Sequence, residues 1–232
     1  MPKRRSVVLA AALVAVCAPA AQAAPAPVVP RQPNISDIAN DANALNEQGA
    51  TYYTGNHGDV AGPANADDRG DLLAVWFTAT KTVLSIHLQT RASIAGAHTA
   101  FAFRVYTNPT MDEPVGCTKF EALVAGASWQ GGPTKSQIHD LCLRPGPGQP
   151  AFTTGTVAVQ AGPGSTGIVT MSFKIGSAPM IGPCATLTKP SADVRYAFGA
   201  DTRAALLPVL DDTKPGTAFR LPAAGRSSRC PA

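Results

Sequence analysis

Apolar and polar residues alternate singly along much of the chain after residue 70, and a three-to-four spacing is rare. From Val83 to Gln89, Leu84, Ile86 and Leu88 fall on one face and Val83, Ser85, His87 and Gln89 on the other, as in a strand with one buried side. Thr99–Thr107 repeats the pattern, with Phe101, Phe103 and Val105 set against Arg104 and Tyr106. So does Ile168–Ile175, with Val169, Met171, Phe173 and Ile175 set against Thr170, Ser172 and Lys174. Leu72–Ala79 is apolar on both faces, which predicts a central strand covered on each side. Less regular runs at Thr118–Val124, Ile138–Leu143, Phe152–Gln160 and Val194–Gly199 are further strand candidates. Between them stand Gly131-Gly132-Pro133, Pro145-Gly146-Pro147-Gly148 and Ala161-Gly162-Pro163-Gly164, which are turn chemistry. Short helices are expected only around Ser36–Asn46 and Thr202–Leu207. The predicted class is all-β, an antiparallel two-sheet sandwich of jelly-roll type with one or two short helices.

The chain opens differently. Lys3-Arg4-Arg5 precedes the uncharged run Val7–Val16 and then Ala21-Gln22-Ala23, which is a basic start, a short apolar stretch and a small-residue cleavage site. The apolar stretch is well short of the roughly 20 residues that a membrane span needs, and no other run approaches that length. Residues 1–23 therefore read as a secretory signal. Cys17 follows Val16 where a lipoprotein signal carries a small residue, and Ser6-Val7-Val8 does not complete a twin-arginine pattern. Residues 24–34, with Pro25, Pro27, Pro30 and Pro33, read as an extended linker. Residues 35–222 form one domain, and 223–232 a small polar tail.

Cleavage changes the charge. Nineteen Lys and Arg stand against fifteen Asp and Glu in the full chain, and losing Lys3, Arg4 and Arg5 brings the mature protein to near neutrality. Without a concentrated basic patch there is little to hold nucleic acid. One of the five cysteines also leaves, so Cys117, Cys142, Cys184 and Cys230 remain. An even number of cysteines in an exported domain implies structural disulfides. Four cysteines admit three connectivities; the sequential one, Cys117 with Cys142 and Cys184 with Cys230, is favoured.

Oxygen ligands are densest in Asp37-Ile38-Ala39-Asn40-Asp41-Ala42-Asn43, with Asn46 beyond, and again in Asp67-Asp68-Arg69-Gly70-Asp71 just before Leu72. Such groups suit a hard cation such as calcium, although the spacing is not that of an EF-hand. The same residue types also serve as ordinary loop and cap residues.

Three short motifs carry a family resemblance: Asp37 to Asn43, Asp71-Leu72-Leu73-Ala74-Val75, and Asp212-Thr213-Lys214-Pro215. In this order they resemble a broad group of secreted actinobacterial proteins, themselves similar to family 9 carbohydrate-binding modules and DOMON-type sandwiches. The resemblance covers nearly the whole mature chain. It implies a jelly roll with a structural calcium on Asp37, Asp41, Asn43 and Asp71, and sugar or haem binding in some relatives. Gly70 stands where the pattern usually has Ala, and the Asp67-Asp68 pair leaves open which aspartate would serve.

Sugar binding of that kind uses aromatic platforms. Trp76 lies in the two-faced apolar strand and reads as core, which leaves Trp129, Tyr52 and Tyr53 as candidate ligand contacts. Haem would need an axial His or Met, but His57, His87, His98 and His139 read as solvated. No Gly-x-Ser-x-Gly, His-Glu-x-x-His or phosphate-binding loop occurs. The expected function is a non-catalytic secreted binding module with a structural calcium site and a glycan or cell-envelope ligand. The alternatives are a cell-surface structural or interaction protein with no small ligand and, third, a hydrolase without a recognisable motif.

Overall fold

The computed structural model describes residues 25–37, 69–94, 100–107, 120–124, 135–140, 153–197, 209–223 and 230, and at 100–101, 120–124, 140, 195–197 and 209–210 the backbone alone. Strands dominate these residues: β1 Ile35–Ser36, β2 Leu72–Ala79, β3 Val83–Thr90, β4 Ala100–Tyr106, β5 Phe120–Val124, β6 Lys135–Asp140, β7 Thr153–Ala161, β8 Gly167–Lys174, β9 Thr186–Leu187, β10 Ser191–Ala197, β11 Val209–Asp212 and β12 Phe219–Arg220. The one helical element described is a 3-10 turn at Pro179–Ile181. The fold is all-β and antiparallel, in agreement with the single alternation of the sequence.

Ten strands join in one ladder, in the order β1-β2-β3-β8-β7-β6-β5-β4-β10-β11, while β9 and β12 pair separately. β7 and β8 are linked through the predicted turn. There Gly162 N donates to Thr166 O at 2.8 Å, the Thr166 hydroxyl donates to Pro163 O at 2.7 Å, and Gly164 takes the left-handed conformation at φ 66° that a side chain disfavours. β6 begins three residues earlier than its apolar run suggests. Its register starts at Lys135 opposite Thr156, and Ser136 turns inward to bond the Thr156 carbonyl at 3.2 Å.

Inward residues from both halves of the ladder build one core. Val75, Phe77, Leu84, Ile86, Leu88, Met171 and Phe173 from β2, β3 and β8 share a cluster with Phe103, Val105 and Val194 from β4 and β10.

Two local expectations are corrected. β2 lies second from the end of the ladder rather than at its centre. Its outer face is apolar because Ala74 and Trp76 form a second cluster with Ile168, against which Val29 of the Pro-rich segment packs. Ser36, expected to open a helix, is instead paired with Ala74 in β1. Asp37 continues that pairing, and residues 38–46 of the expected helix and all of Thr202–Leu207 lie outside the described residues, as do the turns at 131–133 and 145–148.

The two ends of the ladder are tied to each other. The β1–β2 pairing spans only Ile35 with Val75 and Ser36 with Ala74, continued by Asp37 N donating to Leu73 O at 3.0 Å. Beyond it, the buried amide of Leu72 donates to Asp211 Oδ2 in β11 at 2.6 Å, and Phe77 N donates to Asn34 Oδ1 at 3.1 Å. A strap after β11 completes the join, with Thr217 N donating to Asn34 O and Gly216 N to Pro190 O, each at 2.7 Å. A Cβ at Gly216 would overlap the Asn34 carbonyl oxygen, so the strap can lie this close only where residue 216 has no side chain.

The chain end is clamped in turn. β12 pairs with β9 through Phe219–Leu187 and Arg220–Thr186, Cys184 N donates to Pro222 O at 3.1 Å, and Phe219 stacks on Phe77 at 5.5 Å between centroids. Cys184 and Cys230 are disulfide-bonded, the second bridge of the expected sequential pairing; Cys117 and Cys142 lie outside the described residues. A link over 46 residues contributes about 4 kcal/mol on the chain-entropy estimate. Cys184→Ser with Cys230→Ser is therefore expected to lower unfolding free energy by about 2–4 kcal/mol, read by urea denaturation under non-reducing conditions; a loss below about 0.5 kcal/mol would show that the bridge constrains little.

Candidate functional site

Asp37 of the first motif, Asp71 of the second and Asp211, the residue before the third, lie near the end of β2 where Leu72 begins. Strand pairing alone puts Asp37 there, since β1 runs antiparallel to β2 and its next residue bonds Leu73. Asp71 precedes the strand and is fully buried. Its carbonyl accepts the Arg91 amide at 2.9 Å, and its Oδ2 lies 3.4 Å from the Arg91 guanidinium. Asp211 arrives from the other side through its bond to Leu72. Next to it, the Thr213 hydroxyl accepts the Ala192 amide at 3.0 Å, which fixes the third motif to β10.

Carboxylate oxygens gather at this corner. Asp37 Oδ2 and Asp71 Oδ1 are both shielded from water, and carboxylate oxygens taken from solvent need positive charge close by. Arg91 supplies some of it from a half-exposed position. Among the described residues no three His, Cys, Asp or Glu side chains are grouped at metal-holding spacing; two of the four expected ligands, Asp41 and Asn43, lie outside those residues.

Asp211 was not anticipated. The third motif begins one residue later, at Asp212, and the register pairs Asp211 with Val194, a core position, and Asp212 with Asp193. The sequence signal available was the alternation itself, which puts Asp211 on the inward side of β11.

A second polar cluster lies on the outer side of β4 and β10. Arg104 grips Asp193 with two bonds, Nε to Oδ1 at 3.0 Å and Nη2 to Oδ2 at 2.9 Å, and the Tyr106 hydroxyl donates to Oδ2 at 2.6 Å. The guanidinium also lies over the Tyr106 ring at 4.7 Å. Arg104 and Asp193 are buried and directly paired across the strands. Paired, planar and hydrogen-bonded, the set meets the conditions for holding two charges out of water, and it locks β4 to β10.

His87, expected to be solvated, is buried at 5 % exposure. Its ring stacks on Trp76 at 5.0 Å, Nε2 bonds the Thr78 hydroxyl and Nδ1 the Thr170 hydroxyl, both at 2.9 Å. A neutral imidazole offers one donor and one acceptor, and a hydroxyl can answer either, so the threonines satisfy the uncharged ring. Trp76 is buried as expected, but on the outer face rather than in the main core. His139 is half-buried, and His57 and His98 lie outside the described residues, as do Trp129, Tyr52 and Tyr53.

No family model matches the chain, and no curated protein or solved structure was found to be similar to it. Among the described residues no helix is long and apolar enough to cross a membrane.

Burial lowers the His87 pKa from 6.5 to about 4. The unfolded chain takes up this proton near pH 6.5 and the folded one resists until about pH 4, so stability falls as pH drops through that window and levels off below it. Comparing His87→Gln with the parent by urea denaturation at pH 7 and pH 4.5 is expected to remove about 1–2 kcal/mol of the parent's loss. Equal losses in the two proteins would place the acid sensitivity elsewhere.

Proposed function

We propose that the mature chain is an exported, non-catalytic binding module that holds a structural calcium ion at the corner where Asp37, Asp71 and Asp211 meet. Its ligand is a glycan or a cell-envelope polymer. The observation that carries the calcium reading is the convergence of three sequence-distant acidic segments on Leu72 and Leu73, with buried carboxylate oxygens on two of them. Calcium takes six to eight oxygens, and the Asp41 and Asn43 of the resemblance would complete a set begun by Asp37 and Asp71. In this role the ion adds no chemistry; it neutralises carboxylates and ties β1 to the start of β2. Export is supported by the signal-like first 23 residues and by a disulfide at Cys184–Cys230, a bond kept in oxidising compartments. Trp129, Tyr52 and Tyr53 are the aromatic contacts expected for the ligand.

Melting the mature protein with excess calcium, against the same protein with chelator, is expected to raise the transition by about 5–10 °C if the ion saturates the native state alone. Asp71→Asn and Asp41→Ala are each expected to abolish the increment. No increment, or one unchanged in both variants, contradicts the calcium site.

A further inference from the structure

Charge is segregated along the strands. Asp37, Asp71 and Asp211 gather at the Leu72 end of β2, whereas three exposed lysines lie toward the Ala79 end, about 24 Å away by strand rise. Lys81 is in the β2–β3 turn, Lys174 pairs with Val83 at the end of β8, and Lys135 opens β6. Among the described residues no carboxylate pairs with any of the three. The acid nearest by register, Glu121 in β5, is opposite His139, four residues along β6 from Lys135.

The lysines border a sheet face of unusual uniformity. Across β3, β8, β7 and β6, one register row reads Ser85, Ser172, Thr156, Lys135, about 14 Å wide at the usual strand spacing. Ser85 and Ser172 bond each other at 3.0 Å, and Thr156 and Lys135 are exposed. Beside this row Thr154 pairs with Gln137, both exposed. The row on the other side is closed by the Thr78–His87–Thr170 chain of bonds, which fixes the outward hydroxyls. The surface thus presents hydroxyls and an amide, able to donate and accept, among ammonium groups, with the exposed Val83 and Ala158 between them.

This composition selects among ligands. No aromatic side chain is exposed on the face among its described residues, so those residues offer a sugar ring no platform to stack on. Hydroxyl bonds at an exposed surface are worth only about 1 kcal/mol each. A neutral glycan therefore gains little here. A densely charged polyphosphate would use the lysines and accept from the hydroxyls, but it has no donor for their oxygens or for the Gln137 carbonyl. An acidic polysaccharide, with carboxylates spaced among hydroxyls, engages both.

We infer that the outer face of β3-β8-β7-β6 binds an acidic polysaccharide, its carboxylates on Lys81, Lys135 and Lys174 and its hydroxyls on Thr154, Thr156 and Gln137. The inference rests on the reading of the chain as a binding module and names the ligand class of that module.

Binding of the mature protein is measured by calorimetry with polygalacturonate, dextran and inorganic polyphosphate as probes. Polygalacturonate is expected to bind at low salt and weaken as salt rises, and dextran not to bind. Lys81→Ala, Lys135→Ala and Lys174→Ala together are expected to lower polygalacturonate affinity by at least about tenfold with an unchanged melting temperature. Thr154→Ala with Thr156→Ala and Gln137→Ala is expected to lower polygalacturonate affinity by a larger factor than any polyphosphate affinity. No polygalacturonate binding, equal affinity in the triple lysine variant, or an unaltered affinity in the hydroxyl and amide variant overturns the site. A calcium-dependent melting shift alongside any of those results leaves the calcium-bearing module standing without this face.

Discussion

A ten-stranded ladder has two edges, and in this protein a carboxylate and the strap that follows it bring them together. Asp211 in the last strand accepts the Leu72 amide in the second at 2.6 Å, across a separation of 139 residues. β1 is two residues long and cannot cover β2 by itself, so backbone donors of β2 would otherwise face the interior or solvent without a strand beside them. Such donors are costly when buried and invite foreign strands when exposed. Asp211 takes one of them and Asn34 Oδ1 another, while the Asn34 carbonyl receives Thr217 from the strap. The unbroken core, shared by strands from both halves of the ladder, depends on this join.

The join also determines where charge goes. An inward carboxylate at Asp211 and a fully buried one at Asp71 concentrate negative charge at one end of the sheet, with Arg91 as a partial counterweight. The buried Arg104–Asp193 pair sets opposite charges against each other between β4 and β10. Lys81, Lys135 and Lys174 dominate the opposite end.

Strand existence was legible in the residues because one-sided burial imprints period two, and Leu72–Ala79 matches its predicted limits to the residue. Strand position was less so. Two apolar faces on β2 suggested a central place, but Trp76 owes its burial to Val29 and Ile168, a contact made by a segment whose prolines read as linker. The same contact explains His87: alternation put it outward, and only the stacked tryptophan and two threonines turn that outward position into a buried one. Short pairings such as β1, β9 and β12, each two residues long, have no periodicity to read. At the corner, motif spacing identified Asp37 and Asp71, whereas Asp211 became visible only through the register of β11 against β10.

Native-state hydrogen exchange of the Leu72 amide tests the closure most directly. In the parent protein this amide is expected to exchange as slowly as those of β3 and β8. In Asp211→Ala it is expected to speed up by at least about a hundredfold, together with amides of β10 and β11. Equal protection of Leu72 in both proteins, or a change confined to Leu72 with β10 and β11 unaffected, would contradict a sheet held closed through Asp211.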